Sequence, residues 1–172
     1  LCLGSPFDYK NAALMYLPTD FPSPTSDHYW ESVVGMIPEV ARAADGKTLV
    51  LFTSHTDLRN TAMELKKLTS LGYEVLAQGV DGTPAQLINR FRRNPHAILL
   101  GTASFWEGVD IGNEALKVLI IARLPFSVPT DPIFAARSEG YENAFYDYAI
   151  PQAILRFRQG FGRLIRSKTD KG

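Results

Sequence analysis

Apolar residues return along this chain in two rhythms. Short continuous runs, apolar on both sides, alternate with longer spans in which apolar positions recur every three or four residues. Thr48 to Phe52, Tyr73 to Ala77, His96 to Leu100 and Lys117 to Ala122 are runs of the first kind, and Ala12 to Leu17 reads as a further short strand. Such runs suit strands buried on both faces. A helix is predicted from Ser26 or Asp27, either of which can cap it, to about Ala44, with Pro38 inside it as a point of kinking or division. A second, carrying Leu58, Ala62, Leu65 and Leu68, runs from about Asp57 to Leu71 and is stopped by Gly72. Thr83 caps a third that extends to about Arg93. Doubly apolar strands separated by helices predict an α/β fold of three layers, with a mainly parallel β-sheet and helices on both faces.

The last apolar span has a polar companion. Between Ala149 and Thr169 the chain has five basic residues and no acid. Drawn as one helix, Gln152, Arg156, Gln159, Arg163 and Arg166 fall on one face, and Ile150, Ala153, Ile154, Phe157, Phe161, Leu164 and Ile165 on the other. The apolar stripe is predicted core. The arginine row offers planar forks of donors that match phosphate oxygens, so a polyphosphate or nucleic acid is one candidate partner, and a solvated basic face is the other reading.

Composition narrows the choice. The 172 residues are 45% apolar and 21% charged, which suits one well-filled domain over residues 1–172. Eighteen basic and eighteen acidic side chains cancel, so an anion site has to come from local clustering. The single cysteine, Cys2, excludes an internal disulfide framework and a cysteine-ligated metal centre, and points to a reducing, cytoplasmic setting. No apolar run approaches the roughly twenty residues that span a bilayer. The chain opens without methionine and stops after a basic span where an α/β unit commonly supplies another strand, so it reads as a piece of a longer protein.

In open α/β sheets ligands bind outside the carboxyl ends of the strands. There the chain places Thr53-Ser54-His55-Thr56 after one strand, and Gly101-Thr102-Ala103-Ser104-Phe105-Trp106-Glu107-Gly108-Val109-Asp110 after another. Hydroxyls in such loops hold phosphates without reading sequence, and Phe105 and Trp106 offer apolar area for a base. Hydroxyl residues after a strand are also ordinary helix caps, and Phe and Trp are ordinary core. Glu107 with Asp110 as an acid/base pair is set aside because that work depends on a separation and a perturbed pKa that a sequence does not supply, and Ser54, His55 and Asp57 as a triad because neighbouring residues at a strand end point apart. His28, His55 and His96 lack metal-ligand spacing and read as surface or capping residues.

Three stretches in order, T-L-V-L-F-T-S at Thr48 to Ser54, G-T-A-S-F-W-E-G-V-D-I at Gly101 to Ile111 and Q-G-F-G-R-L-I-R at Gln159 to Arg166, resemble the second, RecA-like motor domain of DinG/XPD-type superfamily 2 helicases. I-A-R-L-P-F and P-T-D-P within Ile121 to Pro132 are similar to that group too, and the resemblance covers nearly the whole chain. It implies that ATP and magnesium lie between two motor domains and are bound mainly by the first, which is absent here. It further implies that Arg163 and Arg166 face the γ-phosphate, with Arg166 as the finger, and that Gln159 contacts that region or positions water. Glu107, Gly108 and Asp110 would belong to the nucleotide-binding motif that links the cleft to DNA, while Thr53, Ser54, Thr102 and Ser104 would hold phosphates of single-stranded DNA. After Asp110 the chain reads Ile111-Gly112-Asn113-Glu114, where the family usually has proline then glycine, a departure that touches the loop's shape.

The chain contains neither G-x-x-x-x-G-K-[ST] nor an Asp-Glu pair followed by Ala-His, so by itself it is expected neither to bind nor to hydrolyse ATP. Half of an ATP-driven motor and a non-enzymatic nucleic-acid- or protein-binding domain on the same fold both remain open. A Rossmann dinucleotide enzyme lacks its G-x-G-x-x-G signature.

Overall fold

The computed structural model describes residues 7–68, 72–102, 104–105, 116–165, 167 and 170–172. Four of the apolar runs become strands: β1 (Lys47–Leu51), β2 (Glu74–Ala77), β3 (Ala97–Gly101) and β4 (Leu116–Ile121). They form one sheet in the order β2-β3-β1-β4, and every pairing is parallel.

Alternation along these strands divides the core in two. Val50, Phe52, Val75, Ala77, Ile98, Leu100, Ile120 and Ala122 face one side. They are covered by α2 (Tyr29–Ala43) and α3 (His55–Lys67), through Val33, Ile37, Ala41, Leu58, Ala62 and Leu65. Leu49, Leu51, Leu76, Ala97, Leu99 and Leu116 face the other side, against Leu87 and Phe91 of α4 (Pro84–Arg93) together with Phe105, Leu164 and Ile165. Each fully buried Leu, Ile or Phe contributes on the order of 1.5–3 kcal/mol. This is the three-layer α/β arrangement that the sequence pattern predicts.

The helix ends follow local chemistry. Ser54 caps α3 by accepting the Asp57 N–H at 3.3 Å. Thr83 and Gln86 form a reciprocal capping box on α4, where Thr83 Oγ1 accepts Gln86 N–H and Gln86 Oε1 accepts Thr83 N–H. Arg90, Arg92 and Arg93 crowd the last turn of α4, where the helix dipole favours cations. Gly72, with φ of +72°, turns the chain beyond α3, whose helical geometry already stops at Lys67. Pro38 neither splits nor ends α2, and its ring is buried.

Three expectations need correction. Neither Ser26 nor Asp27 caps α2, which begins at Tyr29 with His28 at its N-cap and no side-chain cap bond. Ala12 to Leu17 is not a strand: Tyr9–Ala12 is a single helical turn, α1, and Leu14 to Leu17 are exposed, Leu14 at 85%. The segment instead bonds Gly172, with Leu14 N–H donating to Gly172 O at 2.8 Å and Gly172 N–H to Ala12 O at 3.0 Å. Beside it an apolar groove of about 710 Å³ runs along the outer edge of β4. Nor is 149–169 one helix. After α5 (Pro132–Ser138) and a π-helical turn (Phe145–Ala149), α6 covers Ile150–Phe161 and ends at Gly162. Arg163 therefore lies in the following turn, where its N–H bonds Gly160 O. Of the proposed apolar stripe, Ala153, Leu164 and Ile165 are buried, Ile150, Phe157 and Phe161 are half-buried, and Ile154 is exposed.

Candidate nucleic-acid and nucleotide interface

The carboxyl ends of all four strands open on one edge of the sheet, and there the sequence places Thr53 and Ser54, Gln78, Thr102 and Ser104, and Arg123. Because β3 and β1 are neighbours, the two hydroxyl-bearing loops are side by side. Thr53 is exposed. Ser54 is half-buried and uses its oxygen as the α3 cap, which leaves its own proton to donate.

The β3 loop is tightly bonded. Thr102 is 3% exposed, and its N–H and Oγ1 both lie against Gln78 Oε1, at 2.8 and 3.1 Å. Gln78 Nε2 donates to Ser104 Oγ at 2.9 Å, and His55 Nε2 sits 3.2 Å from Thr102 Oγ1. Ser104 is exposed. Phe105 is 0% exposed and packs directly under Gly101, so its ring belongs to the core and presents no face to a base. Trp106, Glu107, Gly108 and Asp110 lie outside the described residues.

Arg123, the second residue past β4, organises the neighbouring part of this edge. Its guanidinium lies 4.9 Å from the Trp30 ring and 5.4 Å from Tyr29, donates to Pro24 O at 2.7 Å, and stands 3.9 Å from Asp57. Tyr29 donates its hydroxyl to Ala122 O, and burial pushes its pKa up against the opposing pull of Arg123. Trp30 in turn stacks on Phe52 at 5.9 Å. The loop after β4 is thus tied to the starts of α2 and α3.

The arginine row is not a uniform outward face. Arg156 points inward to the loop after β4, donating to Ser127 Oγ at 2.7 Å and Pro125 O at 3.4 Å. Gln159 is exposed on α6 and Arg163 is half-buried beyond its end. Arg166 lies outside the described residues. No group of three His, Cys, Asp or Glu among the described residues could hold a metal ion. No described helix is long and apolar enough to cross a membrane.

Sequence reasoning passed over Gln78, His55 and Arg123. Gln78 is the first residue past β2 and Arg123 the second past β4, so position alone would have flagged them. His55, taken as a capping or surface residue, is the first residue of α3 and also reaches across to Thr102.

Comparison with known proteins adds an independent line. A family model described as the helicase C-terminal domain matches residues 37–172. A protein named 3'-5' exonuclease DinG from Bacillus subtilis (strain 168) is 39% identical over 179 aligned residues, covering 99% of this chain and 19% of that protein. The ATP-dependent DNA helicase YoaA of Escherichia coli (strain K12) is 35% identical over 100% of this chain and 27% of its own length. The ATP-dependent helicase DinG of Mycobacterium tuberculosis (strain ATCC 25618 / H37Rv) is 34% identical over 100% of the chain and 26% of its own length. The chain therefore spans about a fifth to a quarter of these relatives. Among solved structures an XPD helicase shares the fold, with a TM-score of 0.63 and 22% identity over 88% of this chain and 29% of that one. With the parallel sheet, the hydroxyl-lined carboxyl edge and the family match in agreement, the chain belongs to the helicase C-terminal domain family, among relatives of DinG and YoaA.

Proposed function

We propose that residues 1–172 form, as one RecA-like unit, the second motor domain of a cytoplasmic ATP-dependent DNA helicase. In the whole protein it couples ATP hydrolysis to movement on single-stranded DNA and to unwinding, in the 5'-to-3' sense, in repair or replication. The observation that carries this reading is the pairing of two hydroxyl-bearing loops on adjacent parallel strands in a chain of this family.

On this reading the two sides of the domain do different work. Thr53, Ser54, Thr102 and Ser104 form the track for DNA phosphates, with Trp106 as the aromatic neighbour. Phosphate contacts of this kind fix position without reading bases. Gln159, Arg163 and Arg166 face ATP held mainly by the first motor domain, and Glu107, Gly108 and Asp110 connect the nucleotide to the track. As the phosphoryl group transfers, charge spreads over its oxygens, and a guanidinium supplied from a second domain stabilises that charge. In GTPases such a finger is worth roughly 10³ to 10⁵ in rate. Arg166 carries that role, and Arg163 supports binding of the same phosphate.

Two proteins test the reading together. The full-length protein should hydrolyse ATP faster when single-stranded DNA is added, and the 172-residue chain alone should stay at the buffer blank with or without DNA. Hydrolysis by the isolated chain, or indifference of the full-length protein to DNA, would overturn it.

A further inference from the structure

Counting protons at the β3 loop separates its two hydroxyls. The Thr102 backbone N–H can only donate, so the Gln78 atom 2.8 Å from it must be the amide oxygen, and this fixes the orientation of the whole side chain. That oxygen is a pure acceptor, and it also lies 3.1 Å from Thr102 Oγ1, so the Thr102 hydroxyl gives its one proton to Gln78. His55 Nε2, 3.2 Å from the same hydroxyl, must then be the donor of that contact. Thr102 is left with its proton used, an N–H pressed on its oxygen, and 3% exposure. Ser104 has the opposite balance. Its oxygen accepts from Gln78 Nε2 at 2.9 Å, so the hydroxyl proton is turned away from Gln78, and the residue is exposed.

We propose that Gln78 and His55 are positioning residues which lock this loop so that Ser104, and not Thr102, is the hydroxyl that donates to a phosphate of single-stranded DNA. The inference rests on the DNA track described above and refines it. Thr102 is the buckle of the clamp, His55 carries its proton on Nε2, and Gln78 sets the direction in which Ser104 donates. A hydroxyl already accepting from an amide is also the better donor, because chained hydrogen bonds polarise one another.

The test is a double-mutant cycle in the full-length protein, read as the concentration of single-stranded oligonucleotide that gives half-maximal ATPase stimulation. Gln78→Glu keeps the shape of the side chain and both bonds to Thr102. It also replaces the amide donor by a carboxylate oxygen, which captures the Ser104 proton. Ser104→Ala alone should raise the half-maximal concentration roughly tenfold, the order expected for losing a hydrogen bond to a charged group. In the Gln78→Glu background Ser104→Ala should change it by less than about twofold, because the proton is already withdrawn. The loss falls on the DNA concentration rather than on turnover at saturating DNA, whereas mere loosening of the fold would lower turnover as well.

An equal tenfold effect of Ser104→Ala in both backgrounds would mean that Gln78→Glu acts only by charge repulsion, and would overturn the proposal. So would Ser104→Ala without effect in the otherwise wild-type protein. If Gln78→Glu does not fold, Gln78→Ala tests the lock instead: Ser104→Ala should then cost clearly less than tenfold, because a hydroxyl no longer held in direction donates only part of the time, and an undiminished tenfold effect would overturn the proposal. Absence of any DNA stimulation in the wild type would sink the motor assignment itself, which keeps the two failures apart.

Discussion

Gly101 and Phe105 should behave as one unit, and their coupling can be worked from the geometry. A Cβ built on Gly101 would lie 2.6 Å from Phe105 Cγ, 2.7 Å from its Cβ and 2.8 Å from Cδ2. Phe105 Cβ does not move when the side chain rotates, so rotation leaves the 2.7 Å contact in place. Neither backbone is free to retreat: Gly101 O accepts Phe52 N–H at 2.9 Å across the sheet, and Phe105 N–H donates to Thr102 O at 2.8 Å. Gly101→Ala should therefore destabilise by about 1–3 kcal/mol, as overpacked cores do. Phe105→Ala should cost about 3–5 kcal/mol, because the ring is fully buried. In the double variant the contacts with the ring at 2.6 and 2.8 Å are gone but the one with the residue-105 Cβ at 2.7 Å remains, so the pair should cost less than the sum of the single variants, by about 1 kcal/mol. Urea unfolding of the 172-residue chain and the three variants measures this directly. Additivity to within about 0.5 kcal/mol would refute the reasoning. The same strain presses on the turn that carries Thr102 and Ser104, so in the full-length protein Gly101→Ala should also raise the DNA concentration needed for stimulation.

Two further outcomes follow from local chemistry. Thr83→Ala removes one half of the capping box on α4 and should lower stability by about 1 kcal/mol in the same unfolding assay, with Thr83→Ser restoring most of it; equal loss for both variants would contradict the cap. Glu74 has its pKa held down, first by the Asn94 hydrogen bond and then by Arg90, so its contribution is full above the ordinary carboxylate pKa and fades as pH falls through the depressed one. The stability gap between wild type and Glu74→Gln should therefore shrink on acidification from neutral pH, and a gap independent of pH would refute the assignment.

Where the sequence was read correctly, the physical signal was local and redundant. Thr48 to Phe52 and His96 to Leu100 are apolar on both faces, and both sides of the sheet are covered. Thr83 with Gln86 three residues later spells out a helix start. The errors came where a pattern needed a neighbour to give it meaning. Ala12 to Leu17 is apolar enough for a strand, yet Leu14 and Leu17 stand exposed, and Ala12 and Leu14 bond Gly172 rather than a strand of the sheet. The period through Arg163 and Arg166 ran on past Gly160 and Gly162, although α6 ends at Phe161 and Arg163 follows in a turn. Arg156 fits the polar row by spacing but is drawn to Ser127 and Pro125, a contact between distant parts of the chain that no period contains. At the candidate site, the hydroxyls were found by their place after strands. Their division into a buried buckle and an exposed donor depends on Gln78, 24 residues from Thr102 in sequence.

On the proposed reading this domain supplies the guanidinium that meets charge on the transferring phosphate, and Arg166→Lys in the full-length protein tests that role. Lysine keeps the positive charge and loses the planar fork. DNA-stimulated hydrolysis should fall by orders of magnitude, while binding of a fluorescent single-stranded oligonucleotide stays within about twofold of wild type, because the interaction forms only as charge develops. Near-wild-type turnover by the lysine variant, or lost DNA binding with hydrolysis preserved, would contradict the account and make the arginine row a structural or DNA-facing surface.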